Sequence, residues 1–499
     1  MQKFPKNFIF STSTCSYQIE GGRQLGGRKY SNWDKFTIEN YYIPPAGSTE
    51  REIASIEVAA DFYHKYQQDV KIMQEIGVNG FAYNLDWARI FPDDAEHVNE
   101  EGLAFYESVF QALTAAGIKP IPILYHWDTP LWLEALGGSS APVFVSAFQK
   151  YAQVMFKRLG KYTDLWFVSD ENSSYTMAGY LDDYCPPGKK DEKEFWKAIY
   201  YLSISGAAAK VVFEQAKTKG FLSQSSRLGI DHDWHPAIPF DPNDPDDLEA
   251  VKIYNQYNLN LYLDPNIKGT FPDCFYQAVK KWNLETIVQT NDLKLLEQNR
   301  LDLIGWNYYR PAIIAHPKRL TENHQWHREP QFMITKEVYL VYPQDKTYTA
   351  WGWLIMPEYI AFGLEELWKA YKKELIILEN GLGYFDQRQN GVVADHYRID
   401  YLNAHLQEVQ KVVAKGIPVV GYSLWTYCDI FSPSGGYRKC YGLVGVDFQS
   451  PNCARYPKAS MYWYQDVIAN RTTIASDKID YQKYEKAAKL SFEKLKIWN

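Results

Sequence analysis

Leu375-Ile376-Ile377-Leu378-Glu379-Asn380-Gly381 is the stretch that decides how this chain is read. Four apolar residues run into a carboxylate, and Asn-Gly then closes the run. A short continuous apolar run closed by a turn signal predicts a strand buried on both faces. Such strands belong to parallel sheets covered by helices. A carboxylate at the C-terminal tip of one does not serve packing. Burying a lone charge is costly, so Glu379 must be paired, solvated or chemically used. Capping of the next loop is the plainer alternative, but carboxylates at strand tips of helix-covered barrels are typically catalytic.

Similar runs recur along the chain. Asn7 to Thr14, Val78 to Trp87, Lys119 to Trp127 and Asp164 to Asn172 are the first of them. Arg227 to Trp234, Leu301 to Tyr309, Glu374 to Gly381 and Pro418 to Tyr427 complete the set. Helical patterns lie between them at Asp61 to Gly77, Gly102 to Gly117, Ala147 to Gly160 and Asp400 to Gly416. Each ends on Gly, the usual C-terminal stop. Eight strands alternating with helices predict an α/β protein with a single (β/α)8 TIM barrel over 1–499 and elaborated βα loops. An open doubly wound sheet is the alternative, but no Gly-rich phosphate fingerprint follows the first strand. Asp241 to Asp247, rich in Pro and Asp, reads as a surface loop.

Composition narrows the function. The chain has 499 residues, 46% hydrophobic and 23% charged, with a net charge of -7. That charge gives no basic footprint for nucleic acid. No apolar run approaches the roughly 18 residues of a membrane span. The six cysteines, at 15, 185, 274, 428, 440 and 453, show no CxxC and no framework spacing. With no signal-type apolar region after Met1, they read as reduced thiols of a cytoplasmic protein. Aromatic residues make up 16%, a level that suits clefts that stack on sugar rings, or simply an aromatic core.

In a barrel of this kind the strand tips build one site. The tips here offer Gln18, Arg89, His126, Trp127, Asp170, Glu171, Asn307, Tyr308, Tyr309, Glu379 and Trp425. Amides and a His bond hydroxyls, an indole stacks on a ring, and two carboxylates perform acid–base or nucleophilic work. That inventory suits a polyhydroxylated substrate. His232 and His235 lack the companions of a metal set and read as loop residues, so no metal and no cofactor are expected.

At these residues the chain resembles glycoside hydrolase family 1, the retaining β-glycosidases. The resemblance runs through Ile377-Leu378-Glu379-Asn380-Gly381, Trp87-Ala88-Arg89-Ile90-Phe91-Pro92 and Leu124-Tyr125-His126-Trp127-Asp128-Thr129-Pro130. It continues through Asp302-Leu303-Ile304-Gly305-Trp306-Asn307-Tyr308-Tyr309 and Gln18-Ile19-Glu20-Gly21-Gly22. It implies Glu379 as nucleophile, Glu171 as acid/base, and Arg89 and Tyr309 as partners of the nucleophile. It also implies Gln18, His126, Asp170, Asn307 and Trp425 as sugar contacts. Two positions depart from the family pattern. Asp170-Glu171-Asn172 stands where the family usually has Asn-Glu-Pro, and Asp86 stands where it usually has Ser. An ionised Asp170 cannot donate to a sugar hydroxyl, and its charge favours the protonated form of Glu171.

The segment after Trp425 narrows the substrate. Ordinary β-glucosidases of the family carry Glu-Trp where this chain has Ser432-Pro433. A carboxylate there would repel a 6-phosphate, whose charge is near −2. Ser432, Lys439 and Tyr441 resemble the phosphate set of the family's 6-phospho-β-glycosidases. Pro433 lacks the indole usual in the phosphogalactosidases, which favours glucose. The expectation is a bacterial cytoplasmic 6-phospho-β-glucosidase acting on a small phosphorylated β-glycoside. An ordinary β-glucosidase and a catalytically impaired sugar-phosphate binding protein are its rivals.

Overall fold

The run that ends in Glu379 is a strand, and it is one of eight that close a ring. The computed structural model describes residues 3–40, 42–43, 52–53, 56–321, 326–327, 335 and 337–493. The ring strands are β1 (Ile9–Thr14), β2 (Gly80–Asn84), β3 (Lys119–Ile123), β4 (Leu165–Phe167), β5 (Arg227–His232), β6 (Leu303–Asn307), β7 (Glu374–Asn380) and β8 (Val419–Trp425). They pair in parallel in chain order, and β1 closes the ring by pairing with both β8 and β2. Helices α1 (Phe62–Ile76), α2 (Glu100–Ala115), α3 (Val143–Leu159), α4 (Glu192–Thr218), α5 (Thr290–Gln298), α6 (Glu358–Tyr371), α7 (His396–Ala414) and α8 (Ala459–Asn470) follow the strands in turn.

Every strand forms where the sequence places one, but most are shorter than their apolar runs. β2 stops at Asn84 because Asp86 caps a helical turn, accepting from the Arg89 N–H at 3.0 Å. β4 stops at Phe167, so Asp170 and Glu171 lie beyond it on the way to the short helix Asn172–Thr176. The loops carry structure of their own. A four-stranded outer sheet contains Ala237–Pro239, Ala312–Ala315 and Tyr339–Val341. The loop expected over Asp241 to Asp247 ends early, at Asp244, and Pro245 opens the helix Pro245–Asn255.

The helix stops divide into two kinds. Gly77, Gly117 and Gly416 adopt φ of 90°, 77° and 84°, the left-handed stop that glycine tolerates best. Gly160 does not; its φ is -56°. A Cβ there would meet the Phe221 carbonyl oxygen at 2.4 Å, so the glycine serves a close approach.

Two apolar layers hold the barrel. Ala82, Ile121, Ile123, Leu165, Phe167, Leu303, Ile376 and Leu378 fill its interior. Leu375 and Ile377 point the other way, into the layer between strands and helices. This is why β7 reads as a continuous apolar run. Strict alternation would send Glu379 outward with Ile377. The pairing instead slips: Ile377 faces Trp306, whereas Glu379 faces the very next residue, Asn307. The extra residue is a β-bulge, and it brings Glu379 to the inner side.

A buried ion pair ties the start of the chain to its end. Arg455, on the strand Ala454–Pro457, donates from Nε and Nη2 to Asp69 of α1 at 3.0 and 2.7 Å. Both side chains are fully buried. Removing one partner of such a pair costs about 3–5 kcal/mol, because the other charge is left uncompensated. Arg455→Met should therefore lower unfolding free energy by about that much. Denaturant titration with an unchanged m value checks this. A loss under about 1 kcal/mol, the range of surface pairs, would show that Asp69 finds another partner.

Candidate active site

The strand tips surround one cavity of about 390 Å³. Its wall includes Gln18, His126, Trp127, Glu171, Tyr309, Glu379, Trp425, Ser432, Lys439 and Tyr441. Most residues expected at the site thus meet there. Tyr309, just past β6, donates its hydroxyl to Glu379 Oε2 at 2.6 Å. Gln18 is fixed by its Nε2 donating to the Phe431 carbonyl at 2.8 Å. The backbone at Glu171 and Trp127 is left-handed, with φ of 45° and 68°. Such conformations are strained for non-glycine residues and concentrate at functional sites.

Three expectations need correction. Arg89 is not a partner of Glu379. Its Nε and Nη2 donate to Glu20 Oε2 at 3.0 and 2.8 Å, and its guanidinium packs over the Tyr63 ring. The helical turn capped by Asp86 carries Arg89 away from the barrel axis. No Lys or Arg pairs with Glu379 among the described residues. Asp170 and Asn307 do not line the cavity; both are fully buried behind its wall. Asn307 Nδ2 donates to Asp170 Oδ1 at 3.0 Å and to Glu171 Oε1 at 2.9 Å. Asp170 thus braces the wall. Finally, His232 closes β5 rather than sitting in a loop, and His235 lines the cavity.

The departure at Asp170 has a structural counterpart. Along β5, Leu228 and Ile230 pack outward, so Asp231 points into the barrel and meets Asp170. Gly305 on the adjacent strand leaves room for it, since a Cβ there would lie 2.8 Å from Asp231 Oδ1. Burial pushes both acids up. The His126 ring, with Nδ1 2.9 Å from Asp170 Oδ2, and the Asn307 amide bring Asp170 below its usual value. Burial and the Asp170 charge then hold Asp231 well above the carboxylate range, so the proton rests on Asp231.

The carboxylates in the wall behave similarly. Burial, followed by the charges of Asp233, Glu379 and Asp170, pushes Glu171 well above its ordinary value. Burial and Asp170 do the same to Glu379, and the Tyr309 hydroxyl works against them. Asp233, which accepts from the Ser173 and Ser174 hydroxyls, was not legible as a site residue in the sequence; nor was Asp231. The outward apolar alternation of Leu228 and Ile230 was the available signal.

His126, Asp170 and Glu379 each bring one possible metal-ligand atom within 4.8 Å of the others. The His126–Asp170 contact already engages two of the three. A second group, Asp386, Asp429 and Cys440, is occupied by Arg398 and Lys458. Neither set offers a ready metal centre.

The phosphate set expected from the sequence lies at the same cavity. Lys439 is buried, donates to Ser434 Oγ at 2.9 Å, and stands 3.9 Å above the Trp353 ring. The rings of Trp351 and Tyr441 flank it at 5.1 and 5.3 Å. No carboxylate pairs with Lys439 among the described residues. Burial, reinforced by the Arg310 charge, pushes its ammonium well below the usual lysine value. Ser432 and Tyr441 line the cavity beside it.

The sequence model described as glycosyl hydrolase family 1 matches residues 1–473. An aryl-phospho-β-D-glucosidase of Bacillus subtilis is 31% identical over 478 residues, covering 94% of this chain and 97% of that protein. β-Glucosidase A of Acetivibrio thermocellus is 31% identical over 469 residues, covering 94% and 98%. Among solved structures, a family 1 β-glucosidase from Thermotoga maritima superposes with a TM-score of 0.84 at 28% identity, covering 95% of this chain and 99% of that one.

Glu379 has one uncharged donor where a guanidinium was expected. A hydrogen bond to a charged acceptor contributes about 1.5–3 kcal/mol. Tyr309→Phe should therefore move the titration of the Glu379 carboxyl to higher pH. Difference infrared spectra against Glu379→Gln would follow the carboxyl band through the titration. An unmoved titration would show that Tyr309 does not set the charge of Glu379.

Proposed function

Because this chain belongs to glycosyl hydrolase family 1, we propose that it hydrolyses 6-phospho-β-D-glucosides with retention of configuration. Glu171, held protonated by burial and by neighbouring carboxylates, donates its proton to the leaving oxygen. Glu379 attacks the anomeric carbon as that bond breaks, forming a glycosyl-enzyme. Glu171, now a carboxylate, takes a proton from water. The water oxygen then bonds the anomeric carbon, and Glu379 leaves. Glucose 6-phosphate and the aglycone are the products.

The observation that carries the phosphate reading is Lys439. A buried ammonium that meets no carboxylate among the described residues is unfavourable by itself and favourable beside an anion. Ser432 and Ser434 add hydroxyl groups at the same cavity. Pro433 lines the same wall and brings no indole, which favours the glucoside over the galactoside. A second reading, sugar-phosphate binding without turnover, draws on the missing guanidinium beside Glu379.

Turnover of an aryl 6-phospho-β-glucoside, its galactoside and the plain aryl glucoside tests these readings together. We expect the phosphorylated glucoside to be preferred and Glu379→Gln to abolish turnover. Charge-assisted hydrogen bonds contribute about 1.5–3 kcal/mol, so Lys439→Ala should lower the kcat/KM ratio of phosphorylated to plain glucoside by roughly one to two powers of ten. The same ratio should fall as pH rises at values below the ordinary lysine range, because the depressed ammonium then loses its proton. A ratio unmoved by Lys439→Ala returns the chain to the ordinary glucosidases. Binding of glucose 6-phosphate without turnover of any substrate supports the binding protein.

A further inference from the structure

We propose that Asp233 is a positioning residue for Glu171, gripping the turn that carries it and standing as a charge in the same cavity wall. This rests on the reading of Glu171 as the acid/base above. The Glu171 backbone is left-handed, with φ of 45°, and such a conformation persists in a non-glycine residue only where its surroundings hold it. On its N-terminal side, the Asp170 N–H donates to the Tyr125 carbonyl at 3.0 Å, and Trp127 Nε1 donates to the Asp170 carbonyl at 2.9 Å. On its C-terminal side, the Asn172–Thr176 helix begins at once. The Ser173 hydroxyl donates to Asp233 Oδ1, and the Ser174 hydroxyl donates to Asp233 Oδ2. Asp233, just past β5, thus ties the first turn of that helix to the neighbouring strand end.

No cation cancels the Asp233 charge. His232 stands beside it, with Nδ1 3.6 Å from Asp233 Oδ1. The His232 Nε2 lies 2.8 Å from the Asn258 carbonyl, which only accepts, so Nε2 carries the ring proton. Burial lowers the proton affinity of the ring, and Asp233 only partly offsets this. His232 is therefore neutral, with Nδ1 bare. No Lys or Arg pairs with Asp233 among the described residues. The two serine hydroxyls solvate the carboxylate and leave its charge in place.

Asp233 and Glu171 line the same cavity. Glu171 also faces Asp170, Asp231, Glu379, the Tyr309 and Tyr441 hydroxyls and the Asn307 amide. Asp233 in turn faces His232, His235 and the Tyr262 hydroxyl. Among the charges around Glu171, that of Asp233 does most, after burial, to keep the proton on the acid. At Glu379 it acts behind Asp170 and the Tyr309 hydroxyl. The structural alternative is that Asp233 only accepts from two serines. An amide would serve that purpose nearly as well, with its oxygen accepting from one hydroxyl and its NH2 donating to the other. Asp233→Asn therefore separates charge from grip.

The experiment follows kcat/KM against pH for the full-length chain and its Asp233→Asn, Asp233→Ala and Glu171→Gln variants. The substrates are phenyl β-glucoside and its 6-phosphate, whose leaving group needs a proton. The alkaline limb of the profile reports loss of the proton from the acid. Asp233→Asn removes a negative charge, so Glu171 should lose its proton sooner and the limb should move to lower pH on both substrates. The acidic limb should move less. Asp233→Ala frees both serines and should lower kcat by about 10- to 100-fold with KM changed less. Asp233→Asn should recover part of that loss. An unmoved alkaline limb in Asp233→Asn overturns the proposal, as does a shift confined to the phosphorylated substrate, which would belong to Lys439. An unchanged kcat in Asp233→Ala overturns it as well. If Asp233→Ala fails to fold, the Asp233→Asn profile decides. The reading of Glu171 fails separately: a Glu171→Gln variant that keeps the wild-type rate and alkaline limb overturns it, as does a wild-type chain that turns over neither substrate. Loss of the limb in Glu171→Gln with an unmoved limb in Asp233→Asn overturns this inference alone.

Discussion

A carboxylate taken out of water loses several kcal/mol of solvation unless other groups replace it. That constraint shapes the open end of this barrel. Asp170, Glu171, Asp231, Asp233 and Glu379 gather there, and no Lys or Arg pairs with them among the described residues. The chain satisfies them with neutral donors and shared protons. Asn307 bridges Asp170 and Glu171, Tyr309 serves Glu379, two serines serve Asp233, and Asp231 carries a proton toward Asp170. Below them the barrel interior is filled largely by apolar side chains, which offer these acids no ionic partner.

The cavity is therefore polarised. One wall holds acids whose proton affinity is raised by burial and by one another. Lys439 lines the same cavity, set among aromatic rings. The substrate proposed above carries a leaving oxygen at one end and an anionic group at the other. Raised carboxyl values suit an acid that must keep its proton until the leaving oxygen needs it. They suit a nucleophile less well, and Tyr309 is the group that offsets this at Glu379.

The two cationic residues most similar on paper have different fates. Arg89 is neutralised by Glu20 in a fully buried pair and serves the frame. Lys439 meets a serine hydroxyl and three aromatic rings, with no carboxylate partner among the described residues, and lines the cavity. Asp86 likewise looks like an odd residue in a catalytic motif, yet it caps the Trp87–Ile90 turn and pairs with Arg28. Motif membership alone does not separate these roles, because the separation depends on which partner lies within reach after folding.

The sequence by itself determined the ring. Continuous apolar runs at β7 and β6 require burial on both faces, and glycine stops at Gly77, Gly117 and Gly416 divide helix from strand. It also named Glu171, Glu379 and Tyr309, since a polar group at the tip of an apolar run has no packing reason to be there, and Lys439 through its resemblance to a known phosphate set. Only the tertiary structure decided where those groups point. Strand alternation would have turned Glu379 outward, and the bulge against Asn307 turned it in. Arg89 went to Glu20, and Asp231 came from a neighbouring strand to meet Asp170. Local pattern fixes which residues are buried, because burial follows from apolar periodicity. Which buried charge meets which partner depends on register between strands far apart in the chain, and no local pattern encodes that.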